Sequence, residues 1–462
     1  MINWRCISVR GGAITSVLAL TIMMYAGPAS SQRAPGEQGS RNVHVLSHIP
    51  LGGAMPRPGQ TDLFGINSYG RRTADIEMEQ DLDRPYVYVA SRFAPTNFSI
   101  ISIEDPDNAK VIYKWVIDNP MLHQGSGALD GKYFKSGDRY YYIQSFQFRA
   151  GGPDSDLGAI IFDVTGLPDP SQVREVGRIQ GPAQQGGFHN IFAYKHSDGR
   201  NLLFATIAEP AAHVYDLDLF LAGDPNLGLI ARIPNPSPDQ VRGYHDYYVG
   251  YHPESGQDRF YGAGAGGYYV YDVTDLDNPE FLTSATNISG IRSGHTITPT
   301  PDGRYFVGET EYRNAPLRIF DLKPGLDGDV ATITRPIGAW TANWKNFSHN
   351  HEVRWPYVFV AAFDDGLQVF NMMDPTNPYT VGFYDTWPGP DGTLANPATT
   401  FQGAWGVDVR NADGIIVISS FVTGLWVFRM DGFEGWNGED WGMPNISSVQ
   451  DWDNGPVPRP IS

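Results

Sequence analysis

The stretch SHNHEVRWPYVFVAAFDDGLQVFNMMDPTNPYTVG, residues 348–382, decides how the rest of the chain is read. It opens on His349 and His351, then runs through β-branched and aromatic residues at 357–361 (YVFVA). It turns at Gly366 into a second apolar run and closes on Asp374-Pro375-Thr376-Asn377-Pro378. Short apolar runs rich in Val, Phe and Tyr, punctuated by Gly, Asp and Pro, are the pattern of strands and tight turns.

Copies of this pattern recur outward in both directions. Upstream stand 86–90 (YVYVA) with 98–103 (FSIISI), 140–143 (YYYI) with 159–164 (AIIFDV), 202–206 (LLFAT) with 213–217 (HVYDL), 259–263 (RFYGA) with 268–273 (YYVYDV), and 305–308 (YFVG) with 317–322 (LRIFDL). Downstream stands 415–419 (IIVIS) with 424–428 (GLWVF). Four of the upstream copies close on Asp-Pro or Asn-Pro, and the fifth does not. A sheet of three or four short strands cannot bury both its faces alone. Seven of them at a period of roughly 50 residues bury each other when packed radially, which predicts an all-β, seven-bladed β-propeller. The last copy lacks an outer strand, and residues 43–46 (VHVL) are a strand without a local partner, so the ring is expected to close through this N-terminal strand.

The runs YVFVAAFDDGLQVFNMMDPTNPYTVG (357–382), DVTDLDNP (272–279) and DVTGLPDP (163–170) resemble the LVIVD repeat: an apolar strand, a Gly-containing turn, a second strand ending near Asp, and a D-x-x-x-P turn. The resemblance covers about residues 75 to 430. It implies a seven-bladed propeller in an exported bacterial protein, and no particular activity, because such propellers serve as enzymes, binding modules and adhesins alike.

The chain divides into a signal peptide (1–31), a lead with the closing strand (32–74), the LVIVD-like propeller (75–432) and an irregular, acidic, Trp-rich tail (433–462). The first segment has Arg5 and Arg10, an apolar run at 13–25 and small residues at 26–31. Its apolar run is short of the ~20 residues that span a bilayer, so a cleaved export signal is expected, with a secreted or periplasmic product and no membrane insertion after signal removal. The only cysteine, Cys6, lies within it. Disulfides, thiolate metal sites, a cysteine nucleophile and a lipid-anchor cysteine are thereby excluded from the mature protein. The net charge of −18 argues against nucleic acid as a partner. A monomer that meets a small-molecule or carbohydrate ligand is expected.

The histidines keep phase with the repeats. His189, His245, His295 and His349 are 56, 50 and 54 residues apart, and a further 56 reaches Trp405. His123, 66 residues before His189, holds a comparable but less regular place. Residues at the start of each innermost strand converge on the propeller axis, and a ring of neutral imidazoles there has the makings of a metal site. His351 competes with His349, since strand alternation sends i and i+2 to one side. A single transition ion, iron, copper, manganese or zinc, suits such donors. The arrangement is similar in architecture to the four-histidine iron site of the seven-bladed carotenoid-cleaving oxygenases, and the expected activity is a mononuclear, metal-dependent oxidoreductase or oxygenase. Asp246, Glu309, Glu311 and Glu352 are candidates to hold the free ring N–H groups.

Two alternatives stand beside this reading. One is a non-catalytic extracytoplasmic binding or cell-surface protein. The other is a propeller polysaccharide lyase, in which a Tyr or His abstracts a proton beside a uronate that Arg neutralises. Tyr244, Tyr247, Tyr248, Arg242, Arg292 and Arg354 stand beside the histidines and fit those roles; Tyr244, Arg292 and Glu352 are the catalytic candidates. The glycine-rich 262–267 sits between two strands, where a hairpin explains it better than a phosphate loop.

Overall fold

The computed structural model describes residues 37–51, 73–93, 96–120, 122–123, 125–149, 152–181, 187–237, 242–346, 348–387, 402–443 and 450–456. The expected signal peptide lies outside the described residues. Seven four-stranded antiparallel sheets follow one another along the chain. Their innermost strands are Thr73–Met78, Gly125–Ser136, Ile191–Lys195, Tyr244–His252, Ile297–Pro299, His351–Arg354 and Ala404–Val409. Each touches the next, and the seventh returns to the first. This is the predicted seven-bladed propeller.

Val43–Ile49 pairs antiparallel with Gly424–Met430, Val43 opposite Met430 and Ile49 opposite Leu425, so the N-terminal strand is the outermost strand of the last blade. Closure pairs Gly424–Met430 on both sides and makes Val43–Ile49 the outer edge of the last blade. Blade five is complete as well: after the short helix Lys323–Leu326 it gains the outer strand Gly338–Trp340, where the sequence offers no Asp-Pro signal. The first innermost strand begins at Thr73, just inside the segment read as lead.

The repeat motif has a local cause. Asp105, Asp169, Asp275 and Asp374 each accept, through a side-chain oxygen, the backbone N–H two residues on (Asp107, Ser171, Asp277 and Thr376, at 3.0–3.2 Å). The resulting Asx turn reverses the chain before the outermost strand, and after Asp105, Asp169 and Asp374 a proline fixes φ at the turn's next residue. Between blades, aromatic rings fill the space: Tyr88 on Tyr142, Phe204 on Phe260 and Tyr268 on Phe306, with centroids 4.3, 5.8 and 5.2 Å apart. Burying each such ring contributes about 1.5–3 kcal/mol. Gly262–Gly267 forms the hairpin between Gln257–Gly264 and Gly267–Asp272.

The tail packs on the ring farther than its irregular sequence implies. Trp436 Nε1 donates to Trp355 O at 2.8 Å, and Trp452 is buried against Tyr133 and Phe134. No helix among the described residues is long and apolar enough to cross a membrane.

Candidate metal centre

A shared irregularity of the inner strands builds the site. His189 N donates to Thr206 O, while Thr206 N donates to Asn190 O; the same double contact joins His295 and Thr296 to Glu309, and His349 and Asn350 to Ala361. In blades four and seven the pairing slips across His245 and Trp405. In each case two residues oppose one, a β-bulge. Alternation breaks there, and both the histidine and its successor face the channel, the histidine at the mouth and the successor one step deeper.

At the mouth four imidazoles stand in sequence, with neighbouring centroids 4.4 Å (His189–His245), 4.1 Å (His245–His295) and 4.7 Å (His295–His349) apart. His189 Nε2 and His245 Nε2 are 2.9 Å apart. His295 Nε2 lies 3.4 Å from Glu311 Oε2, and His349 Nε2 lies 4.0 Å from Glu311 Oε1. Donor atoms of His245, His295 and Glu311 all fall within 4.8 Å of one another. Two donors bound at roughly 2.0–2.1 Å to one ion stand about 3.0 Å apart at right angles and about 3.4 Å apart at the tetrahedral angle.

The opposite ring nitrogens are held from behind. His189 Nδ1 meets Gln147 Oε1 at 2.9 Å, His295 Nδ1 meets Glu309 Oε2 at 2.6 Å, and His349 Nδ1 meets Trp405 O at 2.8 Å. An acceptor on Nδ1 places the proton there and leaves the Nε2 lone pair for the centre. His295 Nε2 is buried without a hydrogen-bond partner, and so is His245 Nδ1. Burial is the main cause that holds His189, His245 and His349 well below the ordinary imidazole range, with neighbouring positive charge adding to it; His295 is lowered less, because Glu311 and Asp246 oppose its burial. All four rings are therefore neutral at neutral pH, the form that binds a metal. Burial raises Glu311, against the pull of His295.

Deeper in the channel the successors Asp246, Thr296 and Asn350 join acids from other blades in a second, acidic ring. Asp75, Asp130, Asp246 and Asp408, with Glu77, Glu352, Asn350, His351 and Lys132, line a chamber of about 590 Å³, part of it open solvent. Burial pushes Asp246 and Asp408 up to about 7. These acids fasten the blades together: Asp408 Oδ2 accepts Met78 N at 2.8 Å, Asp130 Oδ2 accepts Ile191 N at 2.8 Å, and Asn350 Nδ2 donates to Asp75 Oδ2 at 3.0 Å. Lys132 Nζ lies 2.8 Å from Asp130 and 3.4 Å from Glu77.

Of the histidines singled out in the sequence, His189, His245, His295 and His349 come together and two stand apart. His351 faces the acidic chamber, its Nε2 3.1 Å from Val307 O, because the bulge at His349 and Asn350 breaks the alternation that would have put it beside His349. His123 packs on Phe148 and bonds Asp154 Oδ2 at 2.7 Å, away from the ring. Among the catalytic candidates, the Tyr244 hydroxyl donates to Pro234 O, Arg292 is exposed, and Glu352 pairs with Arg354 at 2.7 Å in the chamber. The Tyr247 hydroxyl donates to Asn190 O, and Tyr247 and Tyr248 line the chamber.

Sequence reasoning passed over Gln147 and Arg92 at the mouth, and Asp75, Glu77, Asp130, Lys132 and Asp408 in the chamber. A signal for part of the chamber exists: the residue after each in-phase histidine is Asn190, Asp246, Thr296 or Asn350, always polar.

No sequence model of a known family matches the chain. No curated protein matches it in sequence. Among solved structures, the WD40 β-propeller domain of Doa1 is similar in fold, with a TM-score of 0.48 and 12% identity over 80% of this chain and 96% of that domain.

Proposed function

We propose that this chain is an exported metalloprotein whose propeller holds one transition-metal ion at the channel mouth, bound by His189, His245, His295 and His349 with Glu311, and that it acts as a metal-dependent oxidoreductase or oxygenase on a small organic substrate. The observation that carries this reading is the acceptor behind three of the four rings, Gln147, Glu309 and the Trp405 carbonyl, with Nε2 left for the axis. A histidine kept only for packing needs no such common orientation. Export is supported by the N-terminal charge and apolar pattern, by the absence of cysteine after Cys6, and by the resemblance to LVIVD-repeat proteins.

A nitrogen-rich set with one carboxylate suits iron, copper, manganese or zinc, and the first three supply redox chemistry. The chain's own residues orient the donors, keep them neutral and exclude bulk water from the rings. Metal analysis of protein purified without a histidine tag tests the reading. About one equivalent of a single transition ion is expected, lost in the His245→Ala/His295→Ala double variant. Less than about a tenth of an equivalent in the parent protein, after growth with all four metals, overturns it and leaves a non-catalytic binding protein.

A further inference from the structure

We infer that the acidic chamber on the propeller axis binds a small organic cation that carries several N–H donors, an alkylammonium or a guanidinium. This goes beyond the metal reading and stands without it. All seven blades contribute to the chamber wall, which carries the carboxyl groups of Asp75, Glu77, Asp130, Asp246, Glu352 and Asp408. Lys132 is the one Lys or Arg among the lining residues, and its Nζ is taken up by Asp130 at 2.8 Å and Glu77 at 3.4 Å. Arg354 reaches Glu352 at 2.7 Å from outside the wall. Asp75, Asp246 and Asp408 are held by neutral N–H groups instead: Asn350 Nδ2 at 3.0 Å, Tyr247 N at 2.7 Å and Met78 N at 2.8 Å.

Carboxyls that fasten blades together do not by themselves call for a ligand; two other atoms of the wall do. His351 is 4% exposed, and its Nε2 lies 3.1 Å from Val307 O, a residue outside the wall. A carbonyl only accepts, so Nε2 carries the proton and Nδ1 offers a lone pair. Nδ1 is nevertheless buried with no hydrogen-bond partner among the described residues. Asn350 repeats the arrangement: its Nδ2 donates to Asp75 Oδ2, and its Oδ1 is buried without a partner. The wall thus holds two buried acceptors without a donor, and no buried side-chain donor among the described lining residues lacks an acceptor. An unmade hydrogen bond at a buried acceptor is costly, and a bound donor removes that cost.

This inventory selects the ligand. An anion would meet a wall of acceptors. A bare metal ion needs donor atoms gathered about it, and among the described residues no three His, Asp or Glu of the chamber bring such atoms within 4.8 Å of one another. A neutral polyol would leave the excess of acids over Lys132 unanswered. N–H groups spread over an organic cation reach acceptors on separate blades and form charge-assisted hydrogen bonds with them. The volume of about 590 Å³, part of it open solvent, is that of a small-molecule site, and Phe192, Ile297 and Val407 in the wall offer a short carbon chain apolar contact.

Calorimetric titration of the full chain with butylamine, putrescine and guanidinium, before and after chelator treatment, tests this. Saturable binding of at least one of them is expected in both forms. Tetramethylammonium, which has the charge without the N–H donors, should bind roughly tenfold or more weakly, a comparison that needs no variant. His351→Phe, which keeps a ring and removes the Nδ1 acceptor, and Asp75→Asn, which removes a charge, should each weaken binding by about tenfold at unchanged metal content. Absence of saturable binding by all three cations, equal binding of tetramethylammonium, or binding that ignores both substitutions in folded variants would overturn the inference. Displacement of the bound cation by calcium or zinc at lower concentration would overturn it in favour of a metal ion in the chamber, and loss of binding on chelation would move the ligand to the mouth. Cation binding that depends on His351 and Asp75 in a protein without metal would uphold it while the metal reading fails.

Discussion

His189 Nε2 and His245 Nε2, on neighbouring blades, face each other at 2.9 Å, and the ring of His189 is turned that way by Gln147 Oε1 at 2.9 Å from its other nitrogen. Gln147 lies on the second strand of blade two, away from the blade core, so its replacement tests orientation without opening a cavity. Gln147→Leu should lower metal affinity by about tenfold or more, the usual effect of removing a ligand's rear acceptor. Competition with a graded series of chelators reads this, and an unchanged melting temperature shows that the propeller is intact. Equal affinity in variant and parent would mean that Gln147 does not orient a ligand.

Glu309 offers a sharper version of the same test. Its carboxylate sits 2.6 Å from His295 Nδ1 and also accepts from Thr296 Oγ1 at 3.2 Å. Glu309→Gln keeps an acceptor and removes the charge, whereas Glu309→Ala removes both. A ligand-polarising role predicts that the Gln variant keeps full occupancy with a shifted ligand-field or paramagnetic resonance spectrum, and that the Ala variant loses about ten- to hundredfold in affinity. Identical spectra for parent and Gln variant would leave Glu309 a purely structural partner.

These two partners mark the limit of what the chain discloses before folding. The propeller is legible because each blade repeats one problem, an apolar sheet with two faces to bury, and solves it with the same strands and the same Asx turn at Asp105, Asp169, Asp275 and Asp374. The four histidines are legible because the repeat fixes their phase. The bulge is not, because it changes register by one residue without changing composition, and that single step sends His351 into the chamber and brings Asp246 beside His245. Arg92 and Gln147 escape for another reason: they lie near the ends of second strands, and only the radial packing of blades brings those ends to the mouth.

The acidic chamber gives a pH signature. Asp408 is buried close to Glu352, against the opposing charge of Arg354, and its folded pKa is pushed up to about 7 from the ordinary 3.8. The folded state then holds a proton that the unfolded chain has released between about pH 4 and 7. Stability from this group is fully present below the unfolded value and is lost as pH rises through 7, at no more than about 1.4 kcal/mol per pH unit. The buried histidines act in the opposite sense, losing stability as pH falls below the ordinary imidazole range, but they do so equally in parent and variant. Urea midpoints at pH 5, 6, 7 and 8 should therefore show a parent-minus-Asp408→Asn difference that shrinks as pH rises. A difference independent of pH would place Asp408 in its charged form throughout.

Ring closure by Val43–Ile49 makes the strongest structural prediction. This strand supplies the outer edge of blade seven, paired from Leu425 to Met430, and its neighbourhood is tied to blade six by Ser40 N on Phe383 O at 2.9 Å and Asn42 Nδ2 on Val381 O at 3.0 Å. Removing residues 37–51 strips these contacts and leaves Leu425 and Val427, both buried, beneath an unpaired edge. Loss of a full edge strand from a closed ring exceeds the effect of any single core substitution, which is about 2–5 kcal/mol. The truncated protein should melt well below the parent, expose the 424–430 edge to proteolysis and self-associate through it. A version with the 37–51 segment fused after residue 456 through a flexible linker should recover the melting temperature if the linker spans the ring. Full stability without the strand would mean that the seventh blade holds on three strands and that the N-terminal segment is only appended to it.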